Sequence, residues 1–196
     1  LMATENTQFM PSTLNLSSKV YADLRLKLII GDLKPGQTLS IRTLAEAYDH
    51  GSMPVREALR QLSSEGALVG EAKKAYRVPD LSANEAAKLF YVRAALEGAS
   101  AEIAAKTVEP KDIKHLRQLS TKMDGAWEVN NAGSFLENNF LFHSYIYAMA
   151  KNSVLEKMAE NLYIRTGPWL AKGIQDNLSR PNAWEASHDG IIDALA

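Results

Sequence analysis

The chain has 196 residues, and its 22 lysines and arginines nearly balance its 23 aspartates and glutamates, giving a formal net charge of −1. It has no cysteine, which excludes disulfide scaffolds and thiolate metal sites. The apolar fraction of 46% excludes a disordered chain and suffices for one large domain or two small ones. No stretch approaches the roughly 18 apolar residues of a membrane span, so a cytoplasmic protein without a membrane partner is expected.

The first part of the chain predicts a flexible arm followed by three short helices. Residues 1–17 are polar and lack an apolar period, which is typical of an arm. Apolar residues then recur at helical spacing in three segments, each of which stops at or just before a glycine. Residues 32–39 predict a turn, and Ser40 and Ser52 are placed to cap the second and third helices.

A small β-hairpin is predicted after the three helices. Two short apolar pieces, residues 67–69 and 76–78, lie on either side of a polar loop. Pro79 closes the hairpin, and residues 79–81 are expected to form a linker. The first domain therefore spans residues 18–78.

The remainder of the chain, residues 82–196, predicts an all-helical bundle. Ser82 is placed to cap its first helix, and no later segment alternates like a strand. The later helices are expected over residues 111–128, 132–150, 153–173 and 183–196. The predicted fold class is mainly α, with a winged helix-turn-helix ahead of this bundle.

Three compact helices followed by a basic hairpin are typical of a winged helix-turn-helix, whose third helix enters the DNA major groove. That helix sets Arg56 and Arg60 four residues apart on one face, where arginine can bind guanine or phosphate. Ser52 adds a hydroxyl at the start of the helix. The basic residues of the hairpin are Lys73, Lys74 and Arg77. Alternatively, Arg56 and Arg60 pair with Glu57 or face water, as most charges on helix surfaces do.

In the second domain, polar residues fall on a helix face that should be apolar. Asn139 and His143 lie four residues apart on the same side as Tyr147. Because unpaired burial is costly, they are expected either to hydrogen-bond within the core or to coordinate an ion. Imidazole is a common ligand for zinc or nickel, and His188 in the last helix is a second histidine that the fold could bring to His143.

Arg93 lies beside an apolar stripe of the first bundle helix. One interpretation is a simple ion pair with Glu97, four residues later. The other is that its guanidinium points into the bundle and binds the carboxylate of an organic-acid effector.

Residues 18–78 resemble the DNA-binding domain of the GntR family of bacterial transcription regulators. The segments that carry the resemblance are IIGDLKPGQTL, LAE, PVREALRQL with the following EGAL, and YRV. From Ser82 onward, including VRAALEGASAEIAA, the chain is similar to the all-helical FCD-type effector domain of the FadR-like branch. The resemblance implies a homodimer that binds an operator with two half-sites and responds to a small metabolite.

The chain also departs from the family pattern. Members commonly carry Ser-Arg-Thr before PVRE, where residues 51–53 here are Gly-Ser-Met, and Ala75 replaces a glycine of the wing. Arginines remain at the matching positions Arg42, Arg56 and Arg60. Operator binding is therefore expected with an altered sequence preference or a weaker affinity.

The FadR-like branch frequently holds a divalent metal with an acidic residue, a histidine four positions later and two further histidines. By this resemblance Asn139 occupies the acidic position, His143 the first histidine and His188 the second. The third would lie beyond residue 196, so the second domain is expected to be incomplete. Because an amide brings no charge, a zinc- or nickel-type site is expected to be weak or empty.

The sequence thus predicts a transcription regulator and no enzyme. Two alternatives stay open. A helical metalloenzyme could use His143 and His188, although the chain shows no convincing general base or nucleophile constellation. An interaction module that has lost specific DNA binding is the other alternative, because the Gly-Ser-Met segment lacks the family's arginine.

Overall fold

A computed structural model of the chain describes residues 12–49, 51–71, 75–176 and 182–196. Within these ranges the chain forms eight α-helices and three short strands. In chain order they are α1 (Ser12–Ile29), β1 (Thr38–Ser40), α2 (Ile41–Ala47), α3 (Ser52–Ser64), β2 (Val69–Glu71), β3 (Ala75–Arg77), α4 (Ala83–Ala104), α5 (Pro110–Glu128), α6 (Ala132–Met149), α7 (Ser153–Asp176) and α8 (Asn182–Leu195). Of the helices described, none is both long enough and apolar enough to cross a membrane.

Helices α1 to α3 and the three strands form one unit, which we call the N-terminal unit (residues 12–78). Its sheet has the order β1-β3-β2 with antiparallel pairing, and Tyr76 in the central strand lies opposite Leu39 and Gly70. Apolar side chains from all three helices and the sheet form its core: Val20, Leu24, Leu28, Ile41, Val55, Leu59, Leu62, Leu68 and Tyr76. This is the three-helix and hairpin arrangement that the sequence predicts.

Helices α4 to α8 form the helical bundle. A reciprocal pair of hydrogen bonds between Ser82 and Glu85 satisfies the first turn of α4, as the serine pattern predicts. Helices α5 and α6 bury the main apolar surface, with contributions from α4, α7 and α8: Ala104, Leu116, Leu119, Met123, Phe135, Leu136, Phe142, Ile146, Ala171 and Ile192. The mainly α fold class, with a winged helix-turn-helix followed by a helical bundle, is confirmed.

Helix α7 packs closely against α1 of the N-terminal unit, because two glycines allow the helices to approach. A Cβ added to Gly167 would lie 2.7 Å from the carbonyl oxygen of Leu28. A Cβ added to Gly31, which adopts a φ of +75° just after α1, would lie 2.0 Å from the Cβ of Ala171. At these two points neither helix has room for a larger residue.

Polar and aromatic contacts extend the junction between α1 and the bundle. Arg25 and Glu160 form an ion pair of 2.8 Å, and Asn161 donates from Nδ2 to the carbonyl oxygen of Glu65 at 2.9 Å. Phe140 and Tyr163 of the bundle belong to the same buried apolar cluster as the core of the N-terminal unit. The two units therefore share a continuous core.

The structure corrects the predicted start of α1 and adds a strand. The first helix begins at Ser12, so residues 12–17 of the predicted arm are helical, while residues 1–11 lie outside the described part of the chain. Serine, threonine and asparagine cost only a few tenths of a kcal/mol each in a helix, so a segment without apolar periodicity can still be helical. Residues 38–40, predicted as part of a turn and the following cap, form β1, whose three residues are too few to show alternation.

Two finer predictions also shift. The hairpin strands are Val69–Glu71 and Ala75–Arg77, displaced by one or two residues from the predicted pieces, because the extent of each strand is set by its pairing: β3 pairs with both β1 and β2. Ser40 accepts a hydrogen bond from the backbone of Thr43 and caps α2 as predicted. Ser52, however, is the first residue of α3, and the cap position is held by Gly51, which has no side chain to make a capping bond.

The α1–α7 approach generates the first prediction. Gly167→Ala is expected to lower the free energy of unfolding by about 1–3 kcal/mol, because the added methyl group overlaps the backbone of α1. Urea denaturation at neutral pH measures this change. The control is Gly173→Ala in the same helix, where no atom lies within 4 Å of the added carbon and alanine should stabilise the helix by up to about 1 kcal/mol. Equal effects of the two substitutions would contradict the packing argument.

Candidate functional site

A group of polar side chains lies inside the bundle where α4, α6, α7 and α8 meet. We call it the polar cluster, and its members are Arg93, Glu97, Asn139, His143, Tyr147, Tyr163, Thr166 and His188. Helical spacing explains why they meet, since residues three or four apart share one face of a helix. The predicted effector and metal candidates Arg93, Asn139, His143 and His188 all lie in this cluster.

Arg93 is held from several sides. Only 6% of the residue is exposed, and its guanidinium carbon lies 4.0 Å from the ring centroid of Tyr163. Its Nε donates to Glu97 Oε1 at 2.7 Å and its Nη1 to Thr166 Oγ1 at 3.3 Å. Tyr163 also interacts with Arg93 through a side-chain hydrogen bond. The structure therefore realises the predicted ion pair and in addition holds the guanidinium against α7 through Tyr163 and Thr166.

Glu97 is the acceptor on which the cluster converges. The hydroxyl of Tyr147 donates to its Oε1 at 2.5 Å, and Nδ1 of His143 lies 3.6 Å from the same oxygen. Burial alone would raise the pKa of Glu97, but His143, Arg93 and the hydrogen bond from Tyr147 together lower that pKa below its usual value. Glu97 is thus ionised at neutral pH and balances the charge of Arg93.

Asn139 joins α6 to α7 and α8. Its Nδ2 donates to the hydroxyl of Tyr163 at 2.5 Å, and its Oδ1 lies 2.9 Å from Nε2 of His188. An amide oxygen only accepts, so in this pair the proton is on Nε2 of His188. Burial raises the pKa of Tyr163 to about 12, which keeps its hydroxyl protonated. Both polar atoms of the Asn139 amide are therefore hydrogen-bonded, Nδ2 to Tyr163 and Oδ1 to His188.

His143 lies beside both charges of the cluster. Its pKa is lowered to about 4, mainly by burial; Glu97 raises the pKa, while Arg93 and His188 lower it. The imidazole is accordingly neutral at pH 7, and its ring centroid is 5.7 Å from that of His188. A neutral imidazole in this position retains a free nitrogen lone pair for a hydrogen bond or an ion.

The donor set fits a divalent metal poorly. Among the described residues, no group of three or more histidine, cysteine, aspartate or glutamate side chains could hold one. Asn139 Oδ1 and His188 Nε2 point at each other, and neither brings a negative charge. The carboxylate of the polar cluster, that of Glu97, is already paired with Arg93. A zinc- or nickel-type ion at Asn139, His143 and His188 would require these bonds to break, so we derive no step through a metal.

The predicted DNA-contacting residues of α3 lie on its outer face. Helix α3 buries Pro54, Val55, Ala58, Leu59 and Leu62 against the N-terminal unit. Ser52 and Arg60 are exposed, and Arg56 is partly exposed. Arg60 also forms an exposed ion pair of 2.9 Å with Glu57, as the alternative interpretation predicts for this residue. An exposed pair of this kind is worth about 0–1 kcal/mol, so it leaves Arg60 available to another anion.

The remaining predicted contacts flank this face. Arg42 is exposed on α2 and pairs with Glu46 at 2.9 Å, while Arg77 is exposed on β3. Lys73 and Lys74 lie outside the described residues. Of the basic residues predicted to contact DNA, the described ones thus lie on α2, on α3 and on β3, the strand that follows the hairpin loop.

Three residues of the polar cluster are absent from the sequence prediction of the site. Tyr147, Tyr163 and Thr166 contribute a hydroxyl each, but their spacing places them on buried helix faces where tyrosine and threonine usually serve as core. Tyr147 offers the one usable signal, since it continues the four-residue spacing of Asn139 and His143.

The lowered pKa of His143 predicts a loss of stability in mild acid. In the unfolded chain a histidine binds a proton near pH 6.5, whereas folded His143 stays neutral down to about pH 4. The unfolded state therefore binds more protons between these values, and stability falls as pH drops, by up to about 1.4 kcal/mol per pH unit. Urea unfolding at pH 7.5 and 5.5 should show a loss of about 1 kcal/mol that is missing in His143→Gln. His115→Gln is the control and should keep the loss; an unchanged pH dependence in His143→Gln would contradict the assignment.

Comparison with known proteins agrees with the fold of both units. Residues 16–78 match the family described as bacterial regulatory proteins, gntR family, and residues 88–196 match the FCD domain. The HTH-type transcriptional regulator McbR of Escherichia coli is 33% identical over 156 residues, covering 80% of this chain and 71% of McbR. The gluconate operon transcriptional repressor of Bacillus subtilis is 30% identical over 145 residues, covering 74% of this chain and 59% of the repressor.

Solved structures agree as well. The structure of E. coli McbR/YncC has a TM-score of 0.82 and 30% identity, covering 92% of this chain and 85% of that one. A GntR regulator from Rhodococcus sp. RHA1 shares the fold, with a TM-score of 0.72 at 18% identity and coverage of 92% and 90%. These relatives are transcriptional regulators, which agrees with the prediction of no enzyme and speaks against the metalloenzyme alternative. The chain therefore belongs to the gntR family of bacterial transcriptional regulators and joins a winged helix-turn-helix to an FCD domain.

Proposed function

We propose that the chain is a cytoplasmic, homodimeric regulator that binds operator DNA through α3 and the hairpin and responds to a small organic acid bound at the polar cluster. The observation that carries the effector part is Arg93, a guanidinium buried among polar side chains inside a helical bundle. The DNA-binding part is supported by the family and by the outward-facing basic residues of the N-terminal unit.

Operator binding is supported by the positions of a few basic residues more than by the net charge of the N-terminal unit. Residues 1–80 carry a net charge of only +1, and the remainder carries −2. Residues 52–77 contain five basic and three acidic residues, so the basic excess is concentrated on α3 and the hairpin. In helix-turn-helix proteins the N-terminal residues of the recognition helix contact base edges and basic flanks contact phosphate. Arg56 in α3 is the candidate for a guanine or phosphate contact.

Operator binding is tested by Arg56→Ala. If Arg56 contacts a base, specific binding should weaken by about 1–3 kcal/mol, while binding to unrelated duplexes changes little. Fluorescence anisotropy at fixed salt, on an operator selected from a randomised duplex pool, measures both affinities. Arg117→Ala, an exposed arginine of α5 paired with Asp193, is the matched control. Unchanged operator affinity in Arg56→Ala would remove this role, and failure of the wild-type chain to enrich any sequence would favour the interaction module without specific DNA binding.

The effector proposal follows from the chemistry of Arg93. A guanidinium binds a carboxylate through two parallel hydrogen bonds, and Arg93 already binds one carboxylate, that of Glu97, inside the bundle. Stacking on Tyr163 and the bond to Thr166 fix the fork in place, which lowers the entropy lost on binding. Neutral His143 and the Asn139 amide add polar partners of the kind that orient a small polar ligand. Gluconate, for whose operon one relative is named, is an acid of this class.

Helix α7 offers a path from this site to the DNA-binding unit. Tyr163 and Thr166 contact Arg93, while Glu160, Asn161 and Gly167 on the same helix contact the N-terminal unit. A ligand that draws Arg93 or Tyr163 to a new position would therefore bias the placement of α1 relative to the bundle. Such a ligand changes operator affinity only to the extent that it prefers one placement.

Loss of both charges at the site tests the effector proposal. A panel of carboxylates that includes gluconate should contain at least one member that raises the unfolding temperature of the wild-type chain and alters its operator affinity. Arg93→Met combined with Glu97→Gln should abolish both responses without leaving an unpaired buried charge. Differential scanning fluorimetry and anisotropy are the measurements. Arg165→Met, on α7 beside Gly66 of the N-terminal unit, should retain the thermal shift; full retention by the double variant would overturn the role of Arg93.

The homodimer is supported by an unpartnered face of α4. Apart from Lys88, its exposed residues are small or apolar, which is unusual for a surface helix in a monomer: Ala87, Tyr91, Val92, Ala94, Ala95 and Gly98. Tyr91 is 80% exposed in the single chain. Pairing of two α4 helices would cover this face and bring two N-terminal units into one particle, as an operator with two half-sites requires. The mass of the full chain in solution tests this part of the proposal.

A second form of the effector proposal replaces the organic acid by a divalent ion of the zinc or nickel type. This ion would be weakly held by Asn139, His143 and His188. These residues supply two imidazoles and one neutral amide, a set that binds such ions less tightly than one containing a carboxylate. The ion would compete with the hydrogen bond between Asn139 and His188.

A further inference from the structure

The first turn of α3, which is the part of the helix proposed to approach the DNA bases, exposes an apolar side chain to solvent. Met53 is the second residue of α3 and is 66% exposed. Its neighbours Pro54 and Val55 are buried in the core of the N-terminal unit, so Met53 lies on the other side of an otherwise cleanly divided helix. An exposed thioether at this position stabilises neither the core nor the helix start.

The outer face of α3 combines this apolar residue with charged ones. The outward positions of α3 include Met53 and Arg60, which are exposed, and Arg56 and Glu57, which are partly exposed. Glu57 and Arg60 form an ion pair of 2.9 Å with each other. Met53 is therefore the only described outward side chain in the first turn that is apolar, and it extends beyond Ser52 and Gly51, neither of which has a bulky side chain.

The major groove of DNA contains one apolar feature that a methionine can select. Thymine carries a C5-methyl group there, while the other edges of the four base pairs present hydrogen-bond donors and acceptors that a thioether cannot satisfy. The long, unbranched methionine side chain adapts its shape to such a contact. A methionine facing guanine or cytosine would bury their polar groups without partners, which is unfavourable.

We propose that Met53 is a specificity-determining residue that reads a thymine methyl group in each operator half-site. The inference rests on the proposed operator binding by α3, because helix-turn-helix proteins contact base edges with the N-terminal residues of this helix. The first turn of α3 would then prefer a T·A pair at one position of each half-site, in addition to the contact proposed for Arg56.

The test removes the methyl group from the DNA and the thioether from the protein separately. Operators are selected from a randomised duplex pool with the full chain, and each thymine of the selected site is then replaced, one symmetric pair at a time, by deoxyuridine, which lacks only the C5-methyl group. One pair of replacements should weaken wild-type binding by about three- to fivefold per half-site, the amount expected for one buried methyl group. The same replacements should leave the affinity of Met53→Ala unchanged.

A second arm changes the preference instead of removing it. Met53→Arg places a guanidinium in the first turn of α3, and its selected operators should carry G·C in place of T·A at one position of each half-site. Met158→Ala, which removes the 53% exposed methionine of α7, is the matched control and should select the wild-type operator with the same deoxyuridine sensitivity.

The outcomes are separable. If the wild-type chain enriches an operator but no thymine methyl group affects its affinity, or if Met53→Ala shows the same deoxyuridine loss, the assignment of Met53 is overturned while operator binding stands. If the wild-type chain, Met53→Ala and Met53→Arg all select the same consensus operator, the assignment of Met53 is also overturned. If the wild-type chain enriches no sequence, the proposed function itself fails and the inference fails with it.

Discussion

The close approach of α7 to α1 is the constraint on which the arrangement of this protein depends. Gly167 lies so near the carbonyl of Leu28, and Gly31 so near Ala171, that the two helices have a single possible separation at these points. Apolar packing around Tyr163 and the bonds of Glu160 and Asn161 then fix the rotation of α7 about its own axis. Since proteins pack as densely as organic crystals, displacement at one end of such a contact moves its partner.

This constraint also gives the polar cluster its significance. An arginine buried in a bundle is costly unless its charge is balanced, and here Glu97 balances it while Tyr147 and Thr166 complete the hydrogen bonds. His143 stays neutral mainly because burial lowers its pKa, and the neighbouring charge of Arg93 acts in the same direction. The cluster is therefore close to electrically neutral, yet it is built from groups whose balance a single added anion would change. That sensitivity lies within one helical turn of the contacts that hold the N-terminal unit.

Much of the fold could be predicted from the sequence because its signals are local. Apolar spacing and terminal glycines indicate the helices, and the serine at position 82 indicates the start of α4. The start of α1 and strand β1 could not be predicted, since polar residues are tolerated in a helix and a three-residue strand exists only through its pairing with Tyr76 and its neighbours. Local patterns describe what a segment can form, whereas register and pairing depend on segments distant in the chain.

The site was predictable to the extent that polar residues interrupt an apolar face. Asn139 and His143 stand out in this way, and Arg93 stands out as a charge beside an apolar stripe. The pairing of Asn139 with His188, and the contribution of Tyr163, depend on three helices meeting in space. Nothing local to Gly167 indicates that it lies against another helix, because helix-interior glycine has several possible reasons.

The turn of α7 that contains Thr166, Gly167 and Pro168 has a mechanical consequence. Pro168 has no backbone N–H and so cannot complete the helical hydrogen bond at its position, while the hydroxyl of Thr166 bonds to the carbonyls of Leu162 and Tyr163 one turn earlier. A proline inside a helix is where helices most readily bend. This turn of α7 also touches Arg93 on one side and α1 on the other, so a bend of α7 at Pro168 would tilt the half of the helix that holds Glu160 and Tyr163 against the half that holds Ala171.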